Sequence, residues 1–248
     1  MNLPLASNQG ECSRVVAVLQ PSYLPWLGYF DQLARSDVFV YYDDVQFDKH
    51  GWRNRNRICT PDGPQWLTVP IRHKGHSLQL INETVIDSTK NWTRKHLRTL
   101  AQHYRSAPFW EMYFPELEHI LSHRWNRLVD LNIALIEQCA NWLGIGTPRV
   151  CASTLGITGG QNSRLVSICH HFHADTYLSG ASAKNYLDVG LFLSSGIKVV
   201  WQNYMHPVYP QIHGKLTPYL SIIDLLFNVG PHARQLFSPF HASDREKK

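Results

Sequence analysis

Short apolar runs alternate with amphipathic stretches along most of the chain. Val15-Val-Ala-Val-Leu19 is a β-branched run closed by Gln20 and Pro21, which predicts a buried strand and then a loop that enters a helix. Further strands are expected near 37–42 and 66–71, with a weaker one near 83–86. The middle reads as three helices, at 90–104, 108–122 and 125–143. The last carries Leu128, Leu131, Leu135, Ile136, Cys139 and Trp142 near helical period and stops at Gly144 and Gly146. The alternation then resumes: strand 149–153, helix 161–171, strand 175–178, helix 183–194, strand 197–201, helix 219–227. Strands separated by helices imply an α/β fold with a mainly parallel, nucleotide-binding-like sheet. The expected organisation is one domain over 15–240 with a helical insertion at about 90–145, flanked by flexible ends at 1–14 and 241–248.

Composition narrows the class. A chain of 248 residues is long enough for its own core. The net charge of +5 and pI near 9.0 favour anionic partners such as phosphates, nucleotide-sugars or RNA. Eight Trp, eleven Tyr and ten Phe are many, and such rings often line pockets for flat or sugar-like ligands. The five cysteines are widely spaced and include no C-x-x-C, so they read as reduced thiols. No apolar run approaches the length of a membrane span, and the first 14 residues lack a signal-peptide pattern, so a cytoplasmic protein is expected.

Candidate chemistry gathers after the strands, where open parallel sheets place their ligands. Gln20, Tyr23 and Trp26 follow the first strand. Asp43 and Asp44 end the second; neighbours in a strand face opposite ways, so one can serve the site while the other caps or pairs. Lys49 and Trp52 then lead into Arg53, Arg55 and Arg57, whose alternation would align three guanidinium groups for a phosphate or carboxylate. Ser179 and Lys184 sit in a strand-to-helix turn that could cradle an anion. His206, Tyr209 and Gln211 share a proline-stiffened loop, and His206 is the candidate general acid or base. Asp224 lies with Ser221 and Asn228 on the polar stripe of an otherwise apolar helix, able to orient His206, pair with an arginine or cap a loop. Gln20, Tyr23, Trp26, Asp44, Arg55, His206 and Asp224 are expected to converge on one cleft. His170-His171-Phe-His173 resembles a metal tract only superficially, and no metal site is expected.

In order along the chain, Gln20-Pro-Ser-Tyr-Leu-Pro-Trp-Leu-Gly28, Asp44-Val-Gln-Phe47, Trp52-Arg-Asn-Arg-Asn-Arg57, Trp66-Leu-Thr-Val-Pro70, Tyr177-Leu-Ser-Gly180, His206-Pro-Val-Tyr-Pro-Gln211 and Ser221-Ile-Ile-Asp-Leu-Leu-Phe-Asn228 resemble the WbqC-like family. The family commonly accompanies bacterial surface-polysaccharide (O-antigen) genes. The resemblance therefore implies a tailoring enzyme that transfers an acyl or aminoacyl group to an amine of a sugar, nucleotide-sugar or similar metabolite, with aminoacyl-tRNA one possible donor. It supplies no established catalytic residue and no cofactor. A fainter resemblance, in the strand–loop–helix at 15–36 and in Ser182-Ala-Lys184-Asn185-Tyr-Leu187, is to nucleotidyltransferase-like ligases of the pantothenate-synthetase type. It implies ATP-dependent amide formation, but the H-x-G-H motif of that superfamily is missing, with Pro25-Trp-Leu-Gly28 near its place. A non-catalytic nucleotide-sugar or RNA binding module is the alternative from another class.

Overall fold

The computed structural model describes residues 13–49, 51–72, 79–214 and 216–237. The expectations for the chain's ends fall largely outside these, as does Cys12. Val15–Leu19 forms the central strand, β1, of a sheet built with β2 (Val38–Tyr41), β5 (Arg149–Cys151), β6 (Thr176–Ser179) and β7 (Lys198–Trp201). The order is β5-β2-β1-β6-β7 and every neighbouring pair is parallel. A parallel sheet covered on both faces needs strands that are apolar on both sides. Val16, Val18, Val38 and Val40 accordingly pack into one apolar cluster with Leu165, Ile168 and Phe192. Val15, Ala17, Phe39 and Tyr41 pack into the other.

The helices follow the same logic. α1 (Leu27–Ala34) starts directly behind the loop that leaves β1. Between β2 and β5 in the sequence come α2 (Trp92–Tyr104), α3 (Trp110–Ser122) and α4 (Leu128–Trp142). α2 buries only the stripe Trp92, His96, Leu100 and Tyr104, one residue every four, which leaves its opposite face wet. α5 (Gln161–His171), α6 (Val189–Ser194) and α7 (Ile222–Val229) complete the set.

Four local expectations need correcting. The strand near 66–71 is β4 (Gln65–Thr68), which pairs antiparallel with β3 (Arg55–Ile58) in a separate ribbon. Gln65, Trp66 and Thr68 are exposed, a pattern that no strand covered on both faces can carry. The segment near 83–86 is a 3-10 turn, Ile81–Glu83, followed by single bridges from Val85 and Ile86. The helix expected at 183–194 is divided into a 3-10 turn, Ala181–Asn185, and α6, which starts afresh because Asp188 caps the Leu191 N–H at 3.0 Å. The last helix begins only after Ser221, since Tyr219 holds a left-handed φ of 59°.

His96 gives the fold a measurable acid sensitivity. Its Nδ1 shares a 2.9 Å hydrogen bond with the buried Tyr23 hydroxyl. Burial pulls its pKa down to about 4, against an opposing backbone hydrogen bond at Thr68. Because the folded value lies below the unfolded one, the unfolded chain takes up the proton first, and stability falls as pH drops from about 6.5 towards 4. The linked loss is on the order of 3 kcal/mol. Urea melts across this window should show that loss in the parent protein, and His96→Gln should flatten it; an unchanged slope in the variant would remove His96 as the cause.

Candidate functional site

The chain leaving β1 is buried from Pro21 to Pro25, so its backbone polar groups need partners from elsewhere. They find them on distant elements. Arg53 donates from Nη1 to the Gln20 carbonyl at 3.4 Å, and Asn132 donates to the Pro21 carbonyl at 3.2 Å. The Tyr23 N–H donates to the Arg53 carbonyl at 3.0 Å, while Asn56 donates to the Leu24 carbonyl at 2.7 Å. The Ile222 N–H closes the set on the Pro25 carbonyl at 2.8 Å. Leu24 takes a left-handed φ of 42°, a conformation that persists only where surroundings over-determine it.

This arrangement places the β3 ribbon and the start of α7 beside the end of β1. A cleft of about 630 Å³ opens there, between the carboxyl ends of β1 and β6. The sheet order reverses at that point, which is where open α/β sheets bind ligands. α1 contributes Tyr29 and Gln32; the ribbon contributes Trp52, Arg53, Asn56 and Arg57. β6 and its turn supply Tyr177 and Ser179 to Ala183, and the segments after β7 supply Gln202, Tyr204 and Tyr219. Trp26 meets the edge of Tyr204 at 5.0 Å and lies 5.6 Å from Tyr219, so three rings form one aromatic face.

The electrostatics are unusual. Among the described residues neither Arg53 nor Arg57 is in an ion pair, and the Nε of each is buried without a hydrogen-bond partner. Arg57 sits 5.3 Å over the Trp52 ring and donates to the Tyr219 carbonyl at 3.3 Å. Burial pulls the Arg53 pKa down, offset in part by Tyr29 and Asp48. A half-buried cation with no carboxylate in contact is better satisfied when something else supplies negative charge. Tyr29 Oη, Gln32 Oε1 and Tyr204 Oη are likewise buried and unpaired. All of these residues line the cleft.

Of the residues anticipated from sequence, Trp26, Trp52, Arg53, Arg57 and Ser179 line this cleft. Arg55 lies outside it, 4.7 Å over the ring of Trp66, and Lys49 is exposed elsewhere. Lys184 is exposed, 5.6 Å over the ring of Trp201. The Tyr23 side chain is in the core, and Gln20 takes part through its backbone carbonyl. Asp44 pairs with Arg164 at 2.5 Å, and its neighbour Asp43 accepts from the Ser153 N–H and hydroxyl at 3.0 and 2.6 Å.

Asp224 is fully buried, and burial raises its pKa against the hydrogen bonds that hold it. Its oxygens accept from Tyr104 at 2.6 Å and from Tyr209 and Gln211 at 2.8 Å each. Asp224 is thus tied to Tyr209 and Gln211 and makes no bond to His206. The His206 ring lies 5.3 Å from Tyr219 and 6.1 Å from Tyr204, just behind the cleft wall. Both of its nitrogens are buried and unpaired, and burial lowers its pKa, which keeps the ring neutral.

Sequence reasoning missed Gln32, Gln202, Tyr204 and Tyr219. Gln202 and Tyr204 follow a strand end and could have been found by that rule. Gln32 lies inside a helix and gave no such signal. A larger open groove of about 1130 Å³ runs along α2 and α3, lined by Lys90, Arg94, Arg98 and Arg124 against the single carboxylate Glu118. Its cations are exposed, so it lacks the buried, unpaired groups that mark the cleft.

Gly28 holds one wall in place. A Cβ there would lie 2.2 Å from the Trp26 ring, so a side chain must drive the indole away. Gly28→Ala should cost about 1–3 kcal/mol in stability through this overpacking. Thermal melts should show a clear drop; an unchanged midpoint would mean that the indole relaxes without cost.

Among the described residues no helix is long and apolar enough to cross a membrane. No solved structure matches the chain. An uncharacterized protein of Mycobacterium tuberculosis is 40% identical over 220 residues, covering 88% of this chain and 95% of the relative. Residues 20–236 match the WbqC-like protein family, a span that holds the buried loop, both cleft arginines and α7. The chain belongs to the WbqC-like family.

Proposed function

We propose that the cleft binds a small phosphate-bearing molecule, with a nucleotide-sugar as the favoured class, and that the protein transfers an acyl or aminoacyl group to an amine on that ligand. The observation that carries the anion site is the pair of half-buried guanidiniums of Arg53 and Arg57, neither in an ion pair and each with a buried, unpartnered Nε. The faces of Trp26, Trp52 and Tyr219 suit a base or sugar ring. The transfer chemistry rests on the family's association with surface-polysaccharide genes, together with one neutral base near the site. His206 is that base: burial lowers its pKa and so favours the neutral ring, and no protein group occupies either nitrogen, so the unprotonated one can accept a proton.

Calorimetry with UDP as the probe tests the anion site. A charge-assisted contact is worth about 1.5–3 kcal/mol, and about 1.4 kcal/mol is one decade of affinity. Arg53→Gln and Arg57→Gln should each weaken UDP tenfold or more, and Arg55→Gln, outside the cleft, should leave its affinity unchanged. Because Arg53 also holds the Gln20 carbonyl at 3.4 Å, its variant is titrated well below its own melting midpoint, so that a loss of UDP affinity reports the anion contact and not unfolding. Failure of the parent protein to bind UDP, or equal affinity in all variants, would overturn this site.

A tRNA-borne donor is the second reading, and the basic groove on α2 and α3 favours it. Phosphate contacts make such binding steeply salt-dependent, by roughly 0.7–0.9 in the log–log slope per contact. If tRNA uses the groove, Arg94→Gln combined with Arg98→Gln should reduce the slope of tRNA binding by about 2 while UDP affinity stays put. An unchanged slope would exclude the groove as the tRNA site.

A further inference from the structure

Three side chains beneath the cleft form a directed relay of hydrogen bonds. Gln202 Nε2 donates to the Gly28 carbonyl at 2.8 Å and to the Asp31 carboxylate at 2.6 Å. Both of those groups only accept, so the network fixes the Gln202 amide with its nitrogen on their side. Gln202 Oε1 therefore faces the other way, where Gln32 Nε2 donates to it at 2.8 Å. Gln32 is fixed in turn. Its acceptor, Oε1, is buried, has no hydrogen-bond partner, and belongs to a residue lining the cleft. An acceptor left in that condition is destabilising, and a ligand donor would satisfy it.

We propose that Gln32 Oε1 reads an N–H or O–H donor on the ligand, so that the cleft selects a bifunctional molecule: an anion at Arg53 and Arg57, and a neutral amine, amide or hydroxyl at Gln32. This rests on the anion-binding reading of the same cleft. The choice of an amide over a carboxylate has a chemical consequence. A carboxylate would favour the ammonium form of an amine and occupy its lone pair with a proton. An amide oxygen accepts an N–H without adding charge, and leaves the lone pair free to attack an acyl group. Tyr29 complements it: burial drives its pKa up, so its unpaired hydroxyl stays protonated and can donate.

The test compares UDP with UDP-glucosamine by calorimetry, above the pKa of the sugar amine, in the parent protein and in Gln32→Met. Methionine keeps the length of the side chain and removes the acceptor. UDP affinity should be unchanged, while UDP-glucosamine should weaken about tenfold, corresponding to about 1.4 kcal/mol for the lost contact. Equal weakening of both probes, or of neither, would overturn the proposal. If the parent protein binds neither probe, the anion reading falls, and the relay is judged without ligand. In nitrogen-edited spectra the Gln32 side-chain protons should exchange slowly with water and show contacts to Gln202. Free exchange of both protons would show the amide turned over and end the proposal.

Discussion

The buried passage from Pro21 to Pro25 constrains everything around it. Backbone groups shut away from water must be paired, and prolines at both ends leave this segment no regular structure of its own. Its partners are therefore Arg53, Asn56, Asn132 and Ile222, which come from the ribbon, the helical segment and the last helix. Arg53 serves twice, through its carbonyl to Tyr23 and its guanidinium to Gln20. Drawing Arg53 inward draws Arg57 with it, and the Ser221 N–H fastens to the Arg57 carbonyl at 2.8 Å. The cleft is what remains between these fastened pieces and the end of β6.

Buried carboxylates hold the frame from behind. Asp224 gathers Tyr104 from α2 and Tyr209 and Gln211 from the loop before α7, all with protonated donors. Tyr104 in turn accepts from the Cys59 N–H at 2.8 Å, so the end of β3 is secured to the same node. Asp43 and Asp44 perform comparable work at the end of β2, one as a cap and one as an ion pair. Both oxygens of Asp224 and of Asp43 are satisfied by protein groups, while Asp44 is paired through one oxygen. The cleft, by contrast, is lined by five residues with a buried, unpaired polar atom: Tyr29, Gln32, Arg53, Arg57 and Tyr204.

Much of the architecture was written in the chain itself. The β-branched run at 15–19, the three helical periods between 90 and 145, and the helix at 161–171 follow from local period and from Gly, Pro and capping residues. Such signals depend on near neighbours, so they survive without tertiary context. The rule that ligands gather beyond strand ends also pointed to Trp26, Trp52, Arg53, Arg57 and Ser179. What sequence could not resolve was orientation. Tyr23 and Trp26 share one loop, yet Tyr23 turns into the core and Trp26 into the cleft, because Leu24 reverses the backbone between them. Arg55 and Arg57 share one strand face, yet only Arg57 lines the cleft. Whether Asp224 orients His206 was equally undecidable, since the groups that hold Asp224 instead include Tyr104, 120 residues away. Gln32 became visible only when Gln202, 170 residues along the chain, fixed which way its amide must point. Local period determines the elements; partnership across the fold decides which side chains are satisfied and which are left facing a ligand.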